Sequence, residues 1–263
     1  MLYWIGWQHF SKPFSLSRAQ VRYPSLMVDR SLLMEYFRQR IELGDSELYL
    51  DNLTAAQFTS LLTNAPPQTT TSIRPSSRDF SALKIIQAEA SACTACSLHV
   101  ERRHVVFARG NPDTSVVVVG EAPGEEEDKT GLPFVGRAGK LLDLLLQAVG
   151  FPKDSVYICN TLKCRPPGNR NPLPNELAAC NGFLRQQLEV VAPKVLLAVG
   201  KFAAQTLLQS EEPIGRMRGQ VHQYEGRPVI VTYHPAYLLR SSNAIRTAWQ
   251  DFQLLRRVID EQA

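Results

Sequence analysis

Four of the five cysteines have the type and spacing of a metal site. Cys93 and Cys96 form a CxxC pair, whose two thiolates can bind one metal centre from a single turn of the chain. Cys164 and Cys180 can complete a four-cysteine site, which suits either zinc or a [4Fe–4S] cluster. Ordinary core cysteines are the alternative interpretation. Cys159 follows an apolar, strand-like run, so a buried structural thiol is its expected role.

A second group is the acidic loop Gly120–Asp128, which reads GEAPGEEED. Its glycines and proline predict a tight turn between a strand and a helix, with backbone N–H groups able to approach a ligand. The loop lacks both GxGxxG and the lysine of a phosphate-binding P-loop, so a nucleotide site is not indicated. Its carboxylates can stabilise a developing positive charge or orient water. The alternative is a solvated helix start, since acids favour the first turn of a helix.

Two further polar segments also follow apolar runs. One extends from Asn160 to Pro172 and is rich in Pro, Gly, Asn and basic residues, and the other begins Tyr233-His234-Pro235. A single histidine after a strand is more often structural than catalytic. His234 therefore gains significance only if the fold brings it close to the other polar groups.

Alternating strands and helices are predicted to position these groups. Short apolar runs typical of strands buried on both faces occur at Val116–Val119, Val156–Ile158, Val195–Val199 and Val229–Val231. Helical patterns occur at Leu141–Val149, Glu176–Val190, Phe202–Leu208 and Ala244–Ile259. This alternation predicts βαβ units and a parallel sheet. Because ligands of such sheets bind beyond the carboxyl ends of the strands, we expect the polar groups that follow the strands to converge there.

Composition excludes some classes of protein and favours others. The 263 residues are 44% hydrophobic, which is sufficient for a full core, and no apolar run has membrane-spanning length. The net charge is +4, and residues 160–246 hold 11 Lys and Arg against 5 Asp and Glu. That excess favours a polyanionic partner, although a solvated surface is the alternative. An odd number of cysteines and no secretory signal pattern predict a cytoplasmic, non-secreted protein.

The chain is predicted to contain three parts. Residues 64–79 are rich in Pro, Thr and Ser without a hydrophobic period, which indicates a flexible linker. Residues 1–63 form an N-terminal extension, partly helical or disordered, with one short helix around residues 32–37. Residues 80–263 hold the alternating strands and helices and are predicted to be the functional domain.

Together these motifs resemble family 4, the iron–sulfur branch, of the uracil-DNA glycosylases. The acidic loop and the following residues 129–139 resemble the family's first motif, residues 160–172 its middle motif, and residues 234–240 its last. The four cysteines match the spacing of the family's cluster ligands. The resemblance covers about residues 85–260, with the motifs in the family's order, and leaves the first 80 residues outside it.

The resemblance implies a three-layer α/β/α sandwich around a four-stranded parallel sheet, and a [4Fe–4S] cluster held by Cys93, Cys96, Cys164 and Cys180. It implies hydrolysis of the N-glycosidic bond of uracil in single- or double-stranded DNA, at the start of base excision repair. A monomer associated with the nucleoid, without a membrane, is expected. The catalytic residues are then Glu121, Asn160 and His234; the substrate is bound by Ala122, Glu127, Phe134, Asn160 and Asn169; DNA is contacted by Arg165, Arg170 and Arg240.

The chemistry of these side chains suits the implied reaction. Uracil in a duplex must be flipped out to be reached. The Asn160 amide can donate to uracil O4 and accept from N3–H, which distinguishes uracil from cytosine. His234 can donate to O2 of the departing base, and Glu121, with Glu127 or Asp128, can stabilise the sugar cation or hold water. No lysine in these motifs is placed to form a Schiff base, so we expect hydrolysis without strand cleavage.

The sequence differs from two other branches of the superfamily, and two competing functions are open. A uracil-crosslinking branch of the superfamily has Gln at the position of Glu121 and an inserted basic loop with a nucleophilic His, and this sequence has neither. Family 1 enzymes have an Asp general base where this chain has Glu121 and Ala122, so the residue that activates water is not identified. The competing functions are a DNA-binding protein with a zinc-stapled loop and a protein that captures uracil covalently.

Overall fold

The structure is a computed structural model that describes residues 78–262. The predicted N-terminal extension, its short helix and residues 64–77 of the predicted linker lie outside the described residues. Within residues 78–262, no helix has both the length and the apolar character needed to span a membrane.

A six-stranded sheet forms the centre of the described part. Its strands are β1 (Ala108–Gly110), β2 (Val116–Gly120), β3 (Tyr157–Asn160), β4 (Val195–Val199), β5 (Val221–Tyr224) and β6 (Arg227–Thr232). Their order across the sheet is β1-β3-β2-β4-β6-β5. The inner neighbours pair in parallel, whereas β1 pairs antiparallel with β3 and β5 pairs antiparallel with β6.

The predicted α/β class is confirmed, but the sheet is mixed and has six strands, not the expected four. The four apolar runs form β2, β3, β4 and β6, and the two edge strands were missed. They were missed because neither has a continuous apolar run: β1 is three residues long, and β5 alternates exposed and half-buried residues. Short or polar edge strands of this kind protect a sheet against pairing with other chains.

Helices cover both faces of the sheet. They are α1 (Ser81–Ala92), α2 (Glu125–Thr130), α3 (Arg137–Ala148), α4 (Pro174–Val191), α5 (Lys201–Leu208), α6 (Ile214–Met217), α7 (Pro235–Leu238) and α8 (Asn243–Glu261). Successive residues of a strand point to opposite faces, so Val116 and Val118 pack in one apolar core and Val117 and Val119 in another. The first core includes residues of α3 and α8, and the second includes residues of α1, α4 and α5.

The helices beside the site begin and end on recognisable signals. At the start of α2, the backbone N–H of Gly124 donates to Oε2 of Glu127 at 3.1 Å, and the helix ends at Gly131 with φ of 75°. α4 begins with Pro174 and is capped by Glu176, whose Oε2 accepts from the N–H of Leu173 at 2.8 Å. Such caps satisfy N–H groups that the first turn leaves without partners. They fix the two loops that flank the carboxyl edge of β2 and β3.

Candidate active site and cysteine cavity

The carboxyl ends of three parallel strands bring the predicted polar groups to one edge of the sheet. Gly120 at the end of β2 is in register with Asn160 at the end of β3, and Glu121 follows directly. The N–H of Gly200 donates to the carbonyl of Thr232 at 2.9 Å, which places the end of β6 beside the start of α5. A Cβ on Gly200 would lie 3.1 Å from the Cβ of His234. The convergence expected from the order of strands and polar segments is therefore present.

Asn160 and Phe134 meet at a point that only glycine leaves open. A Cβ on Gly120 would lie 2.3 Å from Asn160 Oδ1 and 2.5 Å from two ring carbons of Phe134. Asn160 is 1% exposed, and no group in the described residues donates a hydrogen bond to its Oδ1. A buried acceptor without a donor is costly, so it marks a position where a ligand N–H would be stabilised.

The backbone at Phe134 is held in a left-handed conformation by two residues, Arg109 and Glu127. Its φ is 54°, an unusual value for a bulky residue. Arg109 donates from Nε to the carbonyl of Pro133 at 2.8 Å and from Nη2 to that of Phe134 at 3.3 Å. Glu127 Oε1 accepts from two successive N–H groups, of Val135 and Gly136, both at 2.9 Å. These contacts fix the aromatic ring at the carboxyl edge.

The same turn depends on the absence of a side chain at Gly139 in α3. A Cβ there would lie 1.8 Å from the carbonyl oxygen of Phe134. The close approach lets α3 begin directly behind the turn. It also makes Gly139 part of the site's support, although it touches the site only through Phe134.

His234 packs against Phe134 and is held in one tautomer. The two ring centroids are 5.7 Å apart. Nδ1 of His234 accepts from the N–H of Ala236 at 3.2 Å, so the neutral ring carries its proton on Nε2. Burial lowers the pKa of His234 to about 4, with a further lowering by Arg240 and an opposing effect of Glu127. At neutral pH His234 is therefore a neutral hydrogen-bond donor through Nε2.

Glu121 lies in an environment that favours its neutral form. Burial raises the pKa of its carboxyl to about 7, and the positive charge of Lys201 at the start of α5 opposes the rise. The carbonyl of Glu121 accepts from the N–H of Leu162 at 3.0 Å and from the hydroxyl of Thr161 at 2.5 Å. The backbone of Glu121 is thus held by hydrogen bonds from Thr161 and Leu162, and its side-chain carboxyl titrates near pH 7.

The other acidic-loop residues singled out from the sequence have structural contacts. Glu127 spans the loop, since Oε2 caps α2 and Oε1 holds the Phe134 turn. Asp128 is 3% exposed, and its Oδ1 accepts from the N–H of Arg103 at 2.9 Å. Ala122 packs on the apolar cluster that contains Leu162 and Cys164. It therefore lies between the carboxyl edge and the cysteines.

The predicted DNA-contacting residues occupy different environments. Arg165 donates from Nε to Oδ1 of Asn169 at 2.7 Å, and Asn169 has a left-handed backbone with φ of 54°. Arg170 binds the buried carboxylate of Glu176 through two hydrogen bonds, at 2.9 and 2.6 Å, so much of its guanidinium is already used. Arg240 is exposed, just beyond α7.

The four predicted ligand cysteines line one cavity. Cys93, Cys96, Cys164 and Cys180 share it with Arg102 and Lys163, among other residues. Cys159 is fully buried in the core, apart from this cavity. Within residues 78–262, no three His, Cys, Asp or Glu side chains converge closely enough to hold a single metal ion.

Hydrogen-bond donors and positive charge face the sulfur atoms. Arg102 Nη1 donates to Cys164 Sγ at 3.3 Å and to the Cys93 carbonyl at 2.9 Å. The N–H of Lys163 donates to Cys180 Sγ at 3.3 Å. Burial raises the pKa of the Cys164 thiol, and raises that of Cys180 to about 11. These thiols are therefore protonated until a bound metal displaces the protons.

Four residues with contacts at these sites were not identified from the sequence: Arg102, Arg109, Lys163 and Lys201. Lys163 carried a signal, because a charge stands between Leu162 and Cys164 directly after a strand. Arg109 had none, because it lies on an edge strand that was not predicted and acts on residues 24 and 25 positions away. Arg102 and Lys201 act through tertiary contacts that spacing does not reveal.

Comparison with known proteins agrees with this geometry. Residues 107–253 match the family model of the uracil DNA glycosylase superfamily. The chain is 49% identical over 167 residues to a type-4 uracil-DNA glycosylase of Thermotoga maritima, which covers 62% of this chain and 87% of that protein. It is 43% identical over 159 residues to a type-4 uracil-DNA glycosylase of Archaeoglobus fulgidus, covering 57% of this chain and 80% of that protein. The chain therefore belongs to the uracil DNA glycosylase superfamily and, within it, to the type-4 enzymes.

Proposed function

We propose that this protein is a hydrolase that excises uracil from DNA at the carboxyl edge of its sheet. The observation that carries the proposal is the buried, unpaired Asn160 Oδ1 beside Phe134, with His234 and Glu121 at the same edge. Its family membership and the type-4 relatives support the same reaction. The activity corresponds to the first step of base excision repair, and the substrate is uracil-containing DNA, single- or double-stranded.

Asn160 is proposed to read the flipped base while Phe134 stacks on it. Uracil N3–H would supply the missing donor to Oδ1, and the amide N–H would donate to O4. Cytosine presents an acceptor and a donor in the reverse order, so its binding would leave buried polar groups unpaired. Ala122, Glu127 and Asn169 are proposed to complete the substrate site, with Glu127 acting through the loop that it holds.

His234 is proposed to stabilise the departing base. Cleavage of the glycosidic bond leaves negative charge on uracil, including at O2. A neutral imidazole with its proton on Nε2 can donate a hydrogen bond to that oxygen. Because Ala236 and the Phe134 ring already fix His234, this donor needs no reorganisation during the reaction.

Glu121 is proposed to act in its ionised form on the sugar side of the bond. A carboxylate there can stabilise the cation-like sugar or hold the attacking water. A pKa of about 7 means that the carboxylate is populated near neutral pH and increasingly so above it. Hydrolysis at this site leaves an intact strand with an abasic position.

The DNA strand is proposed to lie along the loop that carries Arg165 and Arg170 and past Arg240. These residues lie within the basic part of the sequence, and guanidinium groups bind phosphates well. Arg170 would bind a phosphate while it also forms its ion pair with Glu176. Residues 80–263 are proposed as the glycosylase domain of a monomer, with residues 1–63 an extension and residues 64–79 a linker.

The four cysteines are proposed to hold a [4Fe–4S] cluster. The donor set of the cavity suits such a group, because all four cysteines line it and four thiolates are the usual ligands of a [4Fe–4S] cluster. Donors to Cys164 and Cys180 and the charge of Arg102 would stabilise the thiolates and the negative charge of a loaded site. The cluster would supply a structural cross-link between the ends of α1 and β3 and helix α4.

A labelled oligonucleotide with a single uracil tests the proposed activity. We expect hot alkali to cleave the uracil strand after incubation with the protein, while untreated lanes and a matched thymine strand stay intact. Cleavage before alkali would contradict hydrolysis without strand cutting. A covalent band on a denaturing gel would instead indicate uracil capture, and an intact uracil strand with cluster-loaded protein would indicate binding alone.

A further inference from the structure

Lys163 is a fully buried lysine near the site, and the proposed mechanism does not use it. Its side chain is 1% exposed and is among the largest fully buried side chains. An unpaired buried ammonium is costly, and an apolar residue of similar volume often replaces a buried charge without loss of stability. Packing alone therefore does not account for a lysine at this position.

The contacts of Lys163 link Asn160 to helix α4. Nζ donates to the backbone carbonyl of Asn160 at 2.7 Å and to Oε1 of Gln187 at 2.5 Å. Gln187 is itself fully buried, and its Nε2 donates to the carbonyl of Phe107 at 3.2 Å and to the hydroxyl of Tyr157 at 3.0 Å. Asn160, whose side-chain amide is proposed to read the base, is thus held at its backbone carbonyl by the hydrogen bond from Lys163.

The same lysine borders the cysteine cavity. Lys163 is one of the residues that line the cavity, and its backbone N–H donates to Cys180 Sγ. Cys164 is the next residue, and Cys180 lies two helical turns before Gln187 on α4. Lys163 thus connects the segment that follows β3, which carries Cys164, to helix α4, which carries Cys180.

We propose that Lys163 is a positioning residue that fixes Asn160 for uracil recognition and ties that residue to the cysteine cavity. The inference rests on the proposed function, since it requires Asn160 to read the base. Preorganised groups lose recognition when their support is removed, even if the groups themselves remain. Removal of Lys163 should thus weaken binding of the uracil base and leave binding of the DNA backbone unchanged.

The test compares two DNA duplexes and three variants of the cluster-loaded protein. One duplex contains 2′-fluoro-2′-deoxyuridine, whose fluorine destabilises the sugar cation and so blocks cleavage, and the other contains an abasic analogue at the same position. The variants are Lys163→Met, the double change Lys163→Met with Gln187→Leu, and the control Lys194→Met. Lys194 also donates to a backbone carbonyl, of Gln262 at 2.8 Å, but it lies at an exposed site. The single change leaves Gln187 Oε1 without its donor, whereas the double change removes that oxygen together with the donors to the Phe107 carbonyl and the Tyr157 hydroxyl. The melting temperature and cluster absorption of each variant are measured with its affinities, and the variant that keeps the parent's values decides the test.

We expect both Lys163 variants to bind the uracil duplex at least about tenfold more weakly, roughly 1.4 kcal/mol. Their affinity for the abasic duplex and their visible cluster absorption should match those of the parent, and Lys194→Met should match it throughout. Unchanged uracil affinity, or a parallel loss for both duplexes, would overturn the role of Lys163. If the parent does not excise uracil from an unmodified uracil duplex, the proposed function fails first.

Discussion

At the scale of single residues, burial shifts the pKa values of Glu121 and His234 in opposite directions. It raises the pKa of Glu121 to about 7 and lowers that of His234 to about 4. Both shifts favour the neutral form, because a charged group is poorly solvated there. The histidine is consequently a neutral donor across the physiological range, whereas the carboxyl changes its charge near pH 7. This separation suits the different tasks that we propose for the two groups.

The rate of uracil excision should follow the ionisation of Glu121. Since the carboxylate is the proposed active form, the single-turnover rate should rise with pH through an apparent pKa of about 7 and then level off. Lys201 lowers the pKa of Glu121, so Lys201→Met should move this rise to higher pH. Rates measured between about pH 5 and pH 9 test both expectations. If the rate of Glu121→Gln rises with pH in the same way, the pH dependence belongs to another group.

At the scale of elements, the turn between α2 and α3 determines where Phe134 lies. Its left-handed backbone is stabilised by Arg109 from β1 and Glu127 from α2, and it is backed by Gly139 of α3. A strained conformation persists only where its surroundings over-determine it, and such positions are common at functional sites. The edge strand β1 therefore contributes to the site through Arg109, although it carries none of the proposed catalytic residues.

Alanine substitutions at two helical glycines, Gly139 and Gly182, distinguish a steric need for glycine beside Phe134 from the general destabilising effect of glycine in a helix. Gly139→Ala should lower activity and the melting temperature, because its Cβ would lie 1.8 Å from the carbonyl of Phe134. Gly182→Ala in α4 meets nothing within 4 Å and should stabilise the protein by roughly 0.5–1 kcal/mol without changing activity. Thermal unfolding and single-turnover rates distinguish them. Equal behaviour of the two variants would show that the Phe134 turn tolerates displacement.

Prediction from the sequence succeeded for elements with strong local patterns and failed for those defined by tertiary contacts. The runs that form β2, β4 and β6 are apolar without interruption, so burial on both faces was evident. β1 and β5 exist only because a neighbouring strand pairs with them. The left-handed backbone of Phe134 was equally hidden, because it depends on Arg109 and Glu127 and not on its own residue type.

At the scale of the whole molecule, the cysteine cavity joins parts of the chain that are distant in sequence. Cys93 and Cys96 follow α1, Cys164 follows β3, and Cys180 lies on α4. A cluster at this cavity would close long loops, which stabilises a fold by restricting the unfolded chain. It would also hold the Asn169 loop, since Cys164 and Cys180 lie on either side of that loop.

Loss of one proposed ligand should affect stability and activity together. Cys164→Ala should lower folded yield, visible absorption, iron content and melting temperature, along with uracil excision. Cys159→Ala is the matched control, because Cys159 is buried outside the cavity and its loss should leave iron content unchanged. If Cys164→Ala keeps full stability and loses only activity, the structural role of the cluster is wrong.

Uracil excision is proposed to take place at the edge that holds Asn160, Phe134 and His234. The most direct measurement is the single-turnover rate on a uracil oligonucleotide for the parent, His234→Ala and His222→Ala. His222 is a suitable control because it is also half-buried and also has one ring nitrogen bonded to the backbone, in its case to the carbonyl of Met217, but it lies on the edge strand β5. We predict a loss of roughly a hundredfold or more for His234→Ala and a nearly parental rate for His222→Ala. A His234→Ala rate close to that of the parent would rule out excision at this edge.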